Sequence, residues 1–106
     1  MVNLRRMQRQ AALNERVELI FYKVTEKDGK KLLKPLKINT TVPISVVKAI
    51  LDRTIVDSFY HRLANDLLER GVKSGTTVQI RANFSKSNAA VDPAFTGTHV
   101  LCEVKV

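Results

Sequence analysis

The sequence predicts an α+β domain: an antiparallel sheet of about four strands packed against a helical pair, with a short N-terminal helix. Three observations predict it. Across Asp57–Gly71, Phe59, Tyr60, Leu63, Ala64, Leu67 and Leu68 recur at three- and four-residue steps, which paints one apolar stripe on a helix. Val17–Val24, Thr76–Phe84 and Thr98–Val106 have the length and the apolar alternation of strands. Asp28-Gly29, between two strand-like runs, supplies the positive φ angle of a hairpin turn.

In chain order, residues 3–14 read as a short helix. Asn3 is its cap, Leu4, Met7 and Ala11 share a face, and Arg5, Arg6 and Arg9 make the remainder positive. So short a helix is marginal alone, so it either docks on the body or serves as a basic arm. The chain therefore divides into a basic arm, 1–15, and a single domain, 16–106. In Val17–Val24, Val17, Leu19 and Phe21 point one way and Ile20, Tyr22 and Val24 the other, as in a central strand or one covered by another subunit. Lys31–Ile38 returns as a second strand, which Pro35 assigns to an edge. Its lysines, with Lys27 and Lys30, either meet phosphates or guard the edge against aggregation.

Asn39–Pro43 reads as a connector. Ser45 is placed to cap a helix that begins at Val46. From there two readings stand: a helical pair, 45–54 and 57–70, or one long helix, since Val47, Leu51, Ile55, Phe59, Leu63 and Leu67 step uniformly by four. Asp57 opens the second helix of the pair, and Arg70 and Gly71 close it. In Thr76–Phe84, Val78, Ile80, Ala82 and Phe84 face the core, while Gln79, Arg81 and Asn83 face out. In Thr98–Val106, Val100, Cys102, Val104 and Val106 face in, and His99, Leu101, Glu103 and Lys105 face out. Ser85–Gly97 joins these two antiparallel neighbours. It reads as a disordered surface loop, or as a finger with Lys86 on phosphate and Pro93 or Phe95 as a wedge; Phe95 folding back onto the core is the third option.

Function rests on charge. The chain of 106 residues carries a net charge of +8. Residues 1–37 hold ten Lys/Arg against four Asp/Glu, and residues 38–106 hold eight against six. An excess gathered at one end draws polyanions. We therefore expect a non-catalytic nucleic-acid-binding protein, DNA before RNA, with Arg5, Arg6, Arg9, Lys34, Lys37, Arg81 and Lys86 as the phosphate contacts. The alternative is an oligomeric structural or assembly protein of a phage or mobile element. Either way a homodimer or higher oligomer is expected, because a domain this small gains from burying a second face. The chain shows no phosphate-cradling glycine loop and no metal-binding spacing, so neither cofactor nor metal is expected. His99 and Cys102 alternate to opposite faces of one strand, which disfavours a nucleophile pair. One cysteine and no long apolar run suit a cytoplasmic protein away from the membrane.

The order of helical pair, Gly-containing turn, strand, long loop and strand resembles the HU family of DNA-architectural proteins. Val17–Ile38 corresponds to the strand pair that some relatives carry ahead of the helices, and Asp92-Pro93 leads to His99-Val100 as in that family. The family's glycine–phenylalanine signature after the helices is missing here. The resemblance implies a dimer that bends duplex DNA with paired arms.

Overall fold

The computed structural model describes residues 15–106. The expected helix over 3–14, with Arg5, Arg6 and Arg9, lies outside the described residues. The described elements are β1 (Arg16–Lys27), β2 (Lys30–Pro35), β3 (Thr40–Pro43), α1 (Ile44–Leu51), α2 (Asp57–Glu69), β4 (Thr77–Asn83), α3 (Lys86–Val91) and β5 (Thr98–Lys105). The α+β prediction holds.

β1 is the central strand. Its C-terminal half pairs with β2 and its N-terminal half with β3, both along one edge, while β4 takes the other edge and β5 pairs beyond β4. All these pairings are antiparallel. The fifth strand is β3, expected as a connector. Thr40–Pro43 resumes the edge that β2 leaves at Pro35, after Leu36 has bonded the Phe21 carbonyl at 2.8 Å. Pro35 therefore sits at the break in the edge, where its missing N–H is harmless.

One sheet face carries the core, in two clusters. Val17, Ile44, Val47, Ala82, Phe84 and Phe95 form the first. Leu19, Phe21, Leu67, Val78, Ile80 and Val104 form the second, with Tyr60, Leu63, Leu36 and Val72 packed against it. Burying the large side chains of these clusters contributes about 1.5–3 kcal/mol each before entropy is counted.

The helical region is the pair and not the single long helix. Arg53 makes the turn: its φ is +57°, its N–H bonds the Ile50 carbonyl at 3.1 Å, and the Thr54 N–H bonds the Ala49 carbonyl at 2.9 Å. That is a Schellman cap with arginine where glycine is usual. α2 ends the same way with Gly71 at φ +94°; Gly71 bonds the Leu68 carbonyl and Val72 the Leu67 carbonyl, both at 3.0 Å. Two expected caps shift. α1 begins at Ile44 behind Pro43, not at Val46 behind Ser45, because Ile44 is a core residue and Pro43 pre-sets the chain direction. Val56 precedes α2, and Asp57 is its first residue, where the carboxylate complements the helix dipole without capping.

A bulge corrects the expected alternation in β5. Ile80 stands opposite Cys102, but Arg81 stands opposite Val100, so Leu101 is an extra residue. The phase therefore flips. Val100 points outward and is 51% exposed. His99 stands opposite inward-facing Ala82, and its ring and that of Phe84 meet edge-to-face with centroids 5.4 Å apart. Leu101, expected to face out, packs against both core clusters.

The 85–97 segment is neither a disordered loop nor a finger. Ser85 caps α3 through a reciprocal capping box with Asn88. Phe95 is 7% exposed and stacks on Phe84 with ring centroids 5.0 Å apart. A ring held this way is core and cannot act as a wedge.

Candidate nucleic-acid interface

The phase that buries Val17, Leu19 and Phe21 continues to Lys23, which lies on the same face of β1, exposed at the border of the core and opposite Val78. Lys34 of β2 stands directly opposite it. The chain then turns inward at Leu36, and Lys37 follows at the rim. From the other side, the cap at Gly71 swings Val72 onto the core and brings Lys73 out beside it. The result is a cleft of about 310 Å³. Its floor is Leu36, Ile38 and Val72, and its rim carries Lys23, Lys37, Arg70 and Lys73, with the Thr76 side chain among the lining groups.

Among the described residues, none of Lys23, Lys34, Lys37 and Lys73 takes part in an ion pair. Arg70 does, with Asp66 at 3.4 Å one helical turn earlier. Like charges directly opposite on paired strands cost about 0.2–1 kcal/mol, and Lys23 faces Lys34 in that way. Among the described residues, no carboxylate, imidazole or thiol lines this cleft. What it offers is ammonium groups, each a mobile point charge with three donors, over a small apolar floor.

The expected contacts divide. Lys37 lies on the rim of this cleft, and Lys34 stands beside it, across the strands from Lys23. Arg81 does not join them, because it lies on the opposite face of the sheet. There its guanidinium sits over the Tyr22 ring at 4.9 Å, and its Nε donates to Gln79 Oε1 at 2.7 Å. Gln79, expected to face solvent, is only 8% exposed; its amide donates to Glu103 Oε2 at 3.1 Å. Lys31 pairs with the same carboxylate at 3.2 Å. β2 and β5 are three strand spacings apart, about 14 Å in a flat sheet, so this ion pair reaches across the outer face of the sheet. The hydrogen bonds from Gln79 and then Lys31 hold the Glu103 carboxyl below the usual glutamate range. Arg81 is thus tied into the protein's own network on the face opposite the cleft.

Lys86 is distant along the fold. It opens α3, whose Asn88 bonds the Arg16 carbonyl at the start of β1, seven residues from Lys23. Seven strand residues span about 23 Å. Arg5, Arg6 and Arg9 lie outside the described residues. Lys23, Arg70 and Lys73 were not singled out from sequence. Lys23 was legible in principle, since it continues the inward phase of Phe21; Arg70 and Lys73 were not, because only the chain path after Gly71 carries them to β1.

Comparison with protein-family models, with curated proteins and with solved structures returned no match. The cleft is therefore read on its own chemistry.

Other reactive groups are placed differently. The bulge puts His99 and Cys102 on one face after all, yet no hydrogen bond joins them; His99 Nε2 lies 2.9 Å from the Thr96 carbonyl. Burial, aided by the Glu103 charge, pushes the Cys102 thiol up to about 11, so it stays protonated at neutral pH. Among the described residues no group of three or more His, Cys, Asp or Glu is placed to hold a metal. No described helix is long and apolar enough to cross a membrane.

Proposed function

We propose that the protein is a non-catalytic, cytoplasmic nucleic-acid-binding protein, acting on DNA before RNA, that grips the phosphate backbone through Lys23, Lys37 and Lys73 at the cleft and Lys34 opposite Lys23. The observation that carries this reading is the cross-strand opposition of Lys23 and Lys34, beside two further lysines, with no ion pair among the four. A polyanion relieves that repulsion, and its own negative charge supplies the attraction. Arg5, Arg6 and Arg9 add positive charge on the same chain. With 85–97 packed against the core, this reading places contact at the cleft and not on paired arms.

The test is salt-titrated binding to single- and double-stranded DNA and RNA. Four phosphate contacts on duplex DNA give a log–log salt slope of about −3.6, so Kd rises about 150-fold between 50 and 200 mM salt. Lys34→Gln and Lys37→Gln each flatten the slope by about 0.9. Lys48→Gln, on α1, leaves it unchanged. Binding that ignores salt, or none at the lowest salt, removes the proposal. So does a variant lacking all four lysines that binds as the wild type does.

The assembly reading is favoured by a different observation. Val56, Val100, Leu32, Leu51 and Leu68 are large apolar side chains more than 40% exposed. A large, defined oligomer indifferent to nucleic acid in the same assay supports that reading instead.

A further inference from the structure

β5 is the outer strand beyond β4, and its far side has no strand neighbour among the described residues. The Val106 N–H bonds the Thr76 carbonyl at 2.9 Å on the β4 side. By the alternation of an antiparallel ladder, the N–H and C=O groups of Lys105 and Glu103 turn to the open side. Beside them runs a groove of about 480 Å³ between this strand and α2, with Tyr60, His61 and Ala64 as its helical wall. An open strand edge beneath a helix is a seat for one more strand. No proline interrupts β5, and its bulge at Leu101 lies before this stretch.

We propose that β5 pairs antiparallel with β5 of a second copy, about a two-fold axis through Val104. The sequence of the edge selects both the occupant and the register. A two-fold axis through Glu103 sets glutamate against glutamate, and one through Lys105 sets lysine against lysine. The axis through Val104 places Glu103 opposite the partner subunit's Lys105, and Lys105 opposite the partner subunit's Glu103. These are also the residues whose backbone groups are open, so hydrogen-bond register and charge register agree. Such self-complementarity is what an isologous interface requires, and an unrelated peptide does not account for it. Glu103 is already held by Gln79 and Lys31, so its charge is fixed near the junction.

Sedimentation equilibrium at micromolar protein tests this. The wild type sediments at twice the 11.9 kDa of one chain. Lys105→Pro removes an open-edge N–H and no β4 bond, so it gives a monomer with an unchanged circular dichroism spectrum. Lys105→Glu and Glu103→Lys, each alone, weaken the dimer about tenfold or more. Mixed together they restore it, because every opposed pair is again of opposite sign. A monomeric wild type, a Lys105→Pro protein that still dimerises, or a mixture no tighter than its components overturns the proposal. Should Lys105→Pro fail to fold, the mixing experiment decides alone.

Discussion

Replacing Asn88 by alanine is the most informative single perturbation of the fold. Asn88 is fully buried, at 0% exposure. Its Oδ1 accepts the Ser85 N–H at 2.9 Å, and its Nδ2 donates to the Arg16 carbonyl at 3.0 Å. β4 stops at Asn83, opposite Glu18, so no strand residue meets the Arg16 carbonyl on that side. The Asn88 amide takes that place and ties α3 to β1. Truncation removes both bonds and leaves two backbone groups without partners. At about 1–3 kcal/mol for each group left unsatisfied, the cost is about 3 kcal/mol in total. A domain of this size has about 5–15 kcal/mol to lose, so Tm falls by about 15 °C. Urea unfolding and calorimetry measure both. Ser85→Ala, which loses only the hydroxyl that accepts the Asn88 N–H at 3.2 Å, costs about 1 kcal/mol. Asn88→Asp keeps the acceptor and loses the donor. Its new carboxyl faces a carbonyl in a buried site, so its folded pKa rises above the unfolded value near ~3.9. The folded state then holds the extra proton, and stability is highest in acid and falls as pH rises. An Asn88→Ala loss below about 1 kcal/mol, or an Asn88→Asp protein insensitive to pH, refutes the reasoning.

Three further outcomes follow from particular contacts. Arg53→Gly relieves a left-handed non-glycine residue at φ +57° and raises stability by about 1 kcal/mol in urea unfolding; no gain removes the strain argument. Cys102, with its thiol at about 11, reacts with iodoacetamide at pH 8 roughly two orders of magnitude more slowly folded than in urea. Because that pKa is raised, its contribution to stability is present below the ordinary thiol range and is lost as pH climbs toward about 11; equal alkylation rates contradict the burial. Glu103 titrates below the usual glutamate range because Gln79 and Lys31 bond it, so its contribution is present above that range and is lost as pH falls through the folded value. Gln79→Ala moves the Glu103 carboxyl midpoint upward in a chemical-shift titration, and an unmoved midpoint sinks the assignment.

Local patterns carried most of the fold. Period-two alternation placed Val17, Leu19 and Phe21 and Val78, Ile80, Ala82 and Phe84 on the core face, where they are found. Where the sequence reading failed, a tertiary demand had overridden the local rule. Leu101 reads as outward by count, yet the bulge beside it lets Leu101 reach both core clusters. Ser85–Gly97 reads as polar and loose, yet one asparagine that completes a sheet and one phenylalanine stacked on Phe84 pin it down. Gln79 reads as exposed, yet Glu103 and Arg81 close over it.

Taken alone, the sequence determined what depends on neighbours along the chain: an α+β class, the helical stripe of Asp57–Gly71, the Asp28-Gly29 turn and the excess of positive charge. Only the tertiary structure decided which of those charges stand together. Lys23 and Lys73 are 50 residues apart in the chain, and they share a rim because the inward phase of β1 carries Lys23 to the border of the core while the cap at Gly71 turns Lys73 back toward it. Arg81 has the same charge and an equally regular pattern, but it points through the other side of the sheet. Charge is a property of composition, whereas its concentration at one surface is a property of chain path, and the chain path is set by packing between segments distant in sequence.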